Sequence, residues 1–377
     1  MGPLSGIEVV EIASIGPGPF CAMFLADLGA EVVRIDRISP GPDWALPPGP
    51  LERGRRSVRI DLKHPDGAAL ALDLAARADV LLEGFRPGVA ERLGIGPADC
   101  LGRNPALVYG RATGWGQEGP LAAEAGHDLN YLGLSGVLSG IGEPDRPPAV
   151  PLNVIGDFGG GGMLLAAGVL AALVERGTSG AGQVVDAAMI DGVALQTAQI
   201  RGLLAAGLWE DRRGANLLDG AAPFYTVYET ADGGYLAVAA LEEPFYARLL
   251  EGLGLDPAAV PDRSDREAWP RLRRILAGTF ATRTRADWEE RFTGTDACVT
   301  PVLSFTEAAS HPHHAARGGF VEVDGVPHPA PAPRFSRTAA GGPAAPHPPG
   351  DDTDEVLIGL GLGEDEIGRL REAGTVC

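Results

Sequence analysis

The chain has 377 residues, 45% of them hydrophobic and 21% charged, which is enough for two domains or one large domain with an insertion. Its net charge of −19 argues against a nucleic-acid partner, since such a binder carries a basic face. Four scattered cysteines, Cys21, Cys100, Cys298 and Cys377, form no CxxC pair, which points to a reducing compartment and to neither a disulfide framework nor a zinc site.

Residues 1–30 lack a basic stretch followed by an apolar run, so no signal peptide is read and a cytoplasmic location is expected. Ile7–Ile12 reads as a strand, Ala13–Pro19 as a turn, Phe20–Leu28 as a helix ending at Gly29, and Glu31–Ile35 as a second strand. Strand, helix and strand in about thirty residues make a βαβ unit with a parallel pair. The Gly16-Pro-Gly18 turn does not meet GxGxxG, so a nicotinamide cofactor is not expected. A helix follows near Gly67–Arg77, with strands at Asp79–Glu83 and Ala106–Gly110.

The stretch Ile155-Gly-Asp157-Phe-Gly-Gly-Gly-Gly162 sets one carboxylate ahead of four glycines and an apolar run, Met163–Val174. It reads as a loop opening into a buried helix, with Asp157 at or near the N-cap. Glycines there let another group approach the backbone closely. A carboxylate beside the unpaired N–H groups of a helix start suits chemistry that develops negative charge on oxygen. The run is read as too short and too Gly-rich to span a bilayer, so no membrane partner is expected.

Gln183–Ala187 reads as a further strand and Asp191–Gly207 as a helix. A shift in composition near Trp209–Asp219 marks a domain boundary. Phe224–Tyr228 and Tyr235–Ala240 form a hairpin about the turn Ala231–Gly234, and helical patterns continue to about Phe292. His311-Pro-His-His314 is the one His cluster; it reads as a loop without nearby acidic or cysteine partners, and no metal site is expected. Pro327–Pro333 and Ala339–Pro349 read as connectors, and Asp354–Gly374 as one or two short amphipathic helices.

Several segments together resemble the family III CoA-transferases (CaiB/BaiF). They are Pro3-Leu-Ser-Gly-Ile-Glu-Val-Val-Glu11, Gly16-Pro-Gly-Pro19, Asp27-Leu-Gly-Ala-Glu-Val-Val-Arg-Ile-Asp-Arg37, Asp61-Leu-Lys63, Glu83-Gly-Phe-Arg-Pro-Gly88, Thr113-Gly-Trp-Gly-Gln117, the Asp157 helix and Gly180-Ala-Gly-Gln-Val-Val-Asp186. Ala125-Gly-His-Asp-Leu-Asn-Tyr131, Arg213-Gly-Ala-Asn-Leu-Leu-Asp-Gly-Ala-Ala-Pro-Phe-Tyr225 and Ala332-Pro-Arg-Phe-Ser-Arg-Thr338 resemble its racemase branch. The resemblance implies an α/β fold with a Rossmann-like large domain and a smaller α+β domain. It implies a large domain beginning at 1–208, a small domain at 209–320, and a return segment at 321–377 packing on the large domain. It also implies an interlocked homodimer with shared active sites, and neither a redox cofactor nor a metal.

The activity implied is interconversion of (2R)- and (2S)-2-methylacyl-CoA thioesters by 1,1-proton transfer. The intermediate is an enolate, whose oxygen needs hydrogen-bond donors, and two acid/base groups act on opposite faces. The resemblance places these roles on His127 with Glu242 and on Asp157. Asn153, four residues before Asp157, is spaced to orient that carboxylate, the other reading being a turn-forming loop Asn. An unperturbed imidazole pKa of about 6.5 suits proton exchange near neutrality. The resemblance puts the CoA nucleotide against Arg37, Lys63, Arg86 and Arg92, since its phosphates call for cations. Ile38–Leu51, including Pro47-Pro-Gly-Pro50, is unusually Pro-rich and stands where the rim around the adenine is expected. The alternatives are a CoA-transferase with Asp157 as nucleophile, whose enzymes lack the His127 and Glu242 pair, and a non-catalytic acyl-CoA carrier, which would have lost one of the three acid/base residues.

Overall fold

Strands buried on both faces read as near-continuous apolar runs, and most of the central sheet follows this rule. The computed structural model describes residues 2–39 and 49–377, so most of the Pro-rich rim segment lies outside the described residues. The sheet strands are β1 (Glu8–Ile12), β2 (Glu31–Asp36), β3 (Arg55–Arg59), β4 (Val80–Glu83), β5 (Val108–Thr113) and β6 (Val184–Ala188). All pair in parallel, in the order β3-β2-β1-β4-β5-β6. This is a doubly wound, Rossmann-like order whose direction reverses between β1 and β4.

Alternation along each strand sends neighbouring residues to opposite faces. Val9, Val32, Leu82 and Val108 join Leu25, Leu165 and Val169 in one core, beneath the helices Pro17–Asp27 and Met163–Ser179. Val10, Val33, Leu81 and Tyr109 join Leu70, Leu74 and Leu357 in the other, beneath Pro65–Arg77 and Thr353–Leu360. Each buried Val or Leu contributes about 1.5–3 kcal/mol of transfer free energy.

Several elements differ from the sequence reading. β3 was not expected, because Arg-Arg-Ser-Val-Arg looks like a solvated basic run. Its Arg55 is buried by an ion pair with Glu11 of β1 at 2.5 Å. The first helix starts at Pro17 and not at Phe20, because prolines fit a first turn whose N–H groups have no intrahelical partner. The helix expected over Asp191–Gly207 is two, Met189–Gln196 and Ala198–Ala205. At the break the Thr197 hydroxyl donates to the Ala194 carbonyl at 2.7 Å, competing with the backbone ladder. Val154–Ser179 is a continuous helical run of 26 residues, long and apolar enough by those measures to cross a bilayer, so the expectation of too short a run fails. Its Leu165, Ala166 and Val169 are nevertheless fully buried in the sheet core.

The chain divides into two compact units, one of Met1–Ser135, Pro151–Thr197 and Pro312–Cys377, the other of Gly136–Val150 and Ala198–His311. The breaks fall at 197/198 and 311/312, earlier than the 208/209 and 320/321 read from sequence, and residues 136–150 group with the second unit. The chain's end lies along β3: Ser57 N–H donates to Asp352 at 2.7 Å and Asp61 N–H to the Thr375 carbonyl at 2.9 Å. Within the first unit, Phe320–Val323 and Val326–Pro329 pair as an antiparallel hairpin, whose last three residues fall in the expected connector Pro327–Pro333.

In the second unit, β7 (Tyr225–Glu229) and β8 (Tyr235–Ala239) form the expected hairpin, and an unexpected β9 (Val299–Pro301) extends it. Phe224, Tyr228, Trp269, Phe280, Trp288 and Phe292 fill its core, with Tyr228 stacked on Phe280 at 5.0 Å between ring centres. The His cluster is not a plain loop. His311 Nε2 lies 3.4 Å from Glu289 in this unit, and Pro312–Arg317 is a short helix.

Candidate active site

The carboxyl ends of the six strands border one cavity of about 860 Å³. Ala13–Gly16 follow β1, Arg37 follows β2, Arg59 ends β3, Gly84–Pro87 follow β4, Gly114 and Trp115 follow β5, and Met189 follows β6. This is the ligand side of a doubly wound sheet, at the point where strand order reverses.

His127, Asn153, Asp157, Arg37 and Arg86 all lie on its wall. Lys63 and Arg92 are exposed and are not among the residues lining it. Lys63 sits in the turn after β3, where its N–H donates to Asp61, and Arg92 ends the helix Val89–Arg92. Glu242 belongs to the second unit, exposed at the N-cap of the helix Glu243–Leu253.

The segment carrying Asp157 is wound as π-helix over Val154–Gly162 before it becomes α-helix at Met163. Asp157 is therefore the fourth residue of this helical segment, near the N-cap as expected, while Asn153 holds the N-cap position itself. Asp128 supplies the capping acceptor from outside: its Oδ1 accepts the N–H of Gly156 at 2.8 Å and of Asp157 at 2.9 Å. The glycines allow the crowding. A Cβ at Gly161 would stand 2.8 Å from the side chains of Pro17 and Met189, and one at Gly162 would stand 2.6 Å from the Phe20 ring.

The Asp157 carboxylate is half-buried and accepts from the Asn153 amide at 3.0 Å. It faces Gly16, whose φ of +72° places the position of any Cβ 3.3 Å from the carboxyl group. Burial raises the Asp157 pKa above the ordinary carboxylate range; the Asn153 hydrogen bond opposes this, the Asp128 charge adds to it, and His127 opposes it. A carboxyl group so shifted keeps its proton to higher pH than a solvated one does.

His127 lies just before the helix Asp128–Ser135, and its carbonyl accepts from the N–H of Asn130 at 2.8 Å. Tyr131 of that helix packs edge-on against Trp115, with ring centres 4.7 Å apart. Its hydroxyl is pushed up to about 12 by burial and by the Asp157 charge, with Arg86 opposing, so it stays protonated as a donor.

Behind Arg86, an ion-pair network built on the buried Glu83 and Arg111 shapes its turn. Glu83 accepts the Phe85 N–H at 2.6 Å and pairs with Arg111 at 2.8 Å, and Arg111 also pairs with Glu91 at 2.9 Å. Three cavity cations were missed from sequence: Arg34, Arg55 and Arg59. Arg55 and Arg59 lie on β3, which carried no strand pattern to reveal them, and Arg34 lies on β2. Asp128 and Tyr131 were likewise not singled out. The hydrogen bonds that involve Asp128 reach 28 and 29 residues along the chain, and no local spacing signals them.

The CoA-transferase family III model matches residues 4–353. The chain is 48% identical to the α-methylacyl-CoA racemase of Mus musculus over 371 residues, covering 97% of this chain and 96% of that protein. To the α-methylacyl-CoA racemase of Homo sapiens it is 46% identical over 372 residues, covering 97% and 96%. A CaiB/BaiF family protein from Brucella suis has a similar solved structure, with a TM-score of 0.81, 26% identity, and coverage of 95% of this chain and 99% of that one.

Proposed function

Because the chain belongs to CoA-transferase family III, we propose that it is an isomerase, interconverting (2R)- and (2S)-2-methylacyl-CoA thioesters by 1,1-proton transfer through an enolate. The observation that carries this reading is the meeting of His127 and an Asp157 of raised pKa on one cavity wall, in a chain so similar to α-methylacyl-CoA racemases. One group removes the α-proton and the other returns a proton to the opposite face, and their roles exchange for the other epimer. The C–H electron pair shifts onto the thioester oxygen in the enolate and returns on reprotonation, with no net oxidation or reduction, so the reaction as written needs no redox cofactor, and we assign no metal.

Asn153 orients the Asp157 carboxylate in this reading. Arg37 and Arg86 meet the CoA phosphates, supported by their place on the cavity wall; Lys63 and Arg92 lack that support. Glu242 supports the charged form of His127 from a second copy of the chain, in an interlocked homodimer. Its place in a different compact unit from His127 and Asp157 is what motivates a shared site. Four cysteines without disulfide partners favour the cytoplasm. We read the apolar Val154–Ser179 run as a core helix and assign no membrane partner.

The test is incubation of one pure 2-methylacyl-CoA epimer with the enzyme in deuterium oxide. Inversion at the α-carbon with deuterium incorporated there is expected. Retained configuration and no exchange, with CoA passed instead to an added carboxylic acid, would assign the protein to the transferases.

A further inference from the structure

Arg263 holds the chain on either side of Glu242. Its Nη1 donates to the carbonyls of Ala240 at 3.2 Å and Leu241 at 2.8 Å, and its Nη2 pairs with Glu243 at 3.0 Å. These anchors fall on both sides of Glu242. The guanidinium also lies over the rings of Phe224, at 5.1 Å, and Tyr246, at 4.7 Å. The base of Arg263 is held in turn, since the Trp269 indole N–H donates to its carbonyl at 2.8 Å.

Glu242 itself has extended backbone, with φ −81° and ψ 150°, and its side chain makes no capping hydrogen bond. No capping bond from its own side chain fixes the direction in which it leaves the helix start; the backbone before and after it is held by Arg263. The planar fork of an arginine reaches two carbonyls and a carboxylate while stacking on two rings, and a lysine's point charge does not.

We propose that Arg263 is the positioning residue for Glu242, clamping residues 240–243 so that the carboxylate is presented in one direction. This rests on the reading that Glu242 supports His127. Arg263 acts through Glu242 and not on the substrate, so its loss affects turnover and not substrate affinity.

The test is a double-mutant cycle on the purified full chain, with a 2-methylacyl-CoA as substrate. R263K is expected to lower kcat by about tenfold with KM nearly unchanged, and to cost under about twofold when made in an E242Q chain. Equal losses in both backgrounds, or a loss confined to KM, overturn the inference while leaving Glu242's role standing. Full activity of E242Q alone overturns Glu242's role, and the inference with it. If R263K fails to fold by circular dichroism, E243Q replaces it. That variant releases one anchor of Arg263, and the same dependence on Glu242 is expected at smaller size; its absence overturns the inference.

Discussion

Asp128 accepts the backbone N–H of Asp157 at 2.9 Å, so one buried carboxylate holds the turn that presents the other. The same oxygen takes the Gly156 N–H at 2.8 Å, in a space that a side chain at residue 156 would fill. Asp128→Ala leaves both donors without their acceptor, at about 1–3 kcal/mol for each buried group. A lower melting temperature is expected. Asp128→Asn keeps an acceptor oxygen but removes a charge that helps raise Asp157, so the Asp157 limb of the pH–rate profile should move to lower pH. An unchanged melting temperature for Asp128→Ala, or an unmoved limb for Asp128→Asn, would contradict this account.

Asp157 itself opposes folding when ionised. Its folded pKa lies above the unfolded value, so the native state binds more protons there. The stability this proton contributes is fully present below the unfolded pKa of about 4 and is lost as pH rises through the raised native value. Asp157→Asn should therefore raise the melting temperature relative to wild type at pH 7 by more than it does at pH 4, while abolishing most activity. A thermal shift series across that range checks it, and an equal difference at both pH values counts against the assignment.

For the chemistry, replacing His127 or Asp157 with Ala should lower epimerisation about 10²–10⁴-fold and leave CoA binding largely intact. Hydroxylamine added during wild-type turnover should trap no acyl-aspartate. Loss under about tenfold in both variants, or an adduct at Asp157 in a peptide digest, would sink the acid/base assignment.

Assembly is open to complementation. In the shared-site reading, an inactive Asp157→Ala chain co-refolded with an inactive Glu242→Ala chain forms mixed dimers in which one site collects both defects and the other collects neither. Activity should return to at most half of wild type per heterodimer. If mixing restores nothing once subunit exchange is confirmed by mass spectrometry, each site is built within one chain.

Local patterns were legible where a single element decides the outcome. β1, β2 and β4 are dominated by Val, Ile and Leu, the composition of strands in a covered parallel sheet. The small-domain hairpin was legible for a similar reason, since the Asp232-Gly-Gly234 turn separates two β-branched and aromatic runs. His127, Asn153 and Asp157 were picked out by their neighbours in sequence, and each lies on the cavity wall.

What the tertiary structure alone decided concerns polar groups whose partners are far along the chain. Arg55 reads as a surface cation until Glu11, 44 residues away, neutralises it inside the sheet; a buried charge without such a partner would be too costly to keep. Asp128 is an unremarkable helix-start residue until the π-turn brings two N–H groups to its oxygen. The apolar patterns of the sequence thus determined β1, β2, β4 to β8 and most helices, because burial depends on each residue's own side chain. The cavity at the strand-order reversal, its arginine wall and the hold on Asp157 were decided by the fold, because hydrogen bonds and ion pairs depend on which residues it brings within about 3 Å of one another.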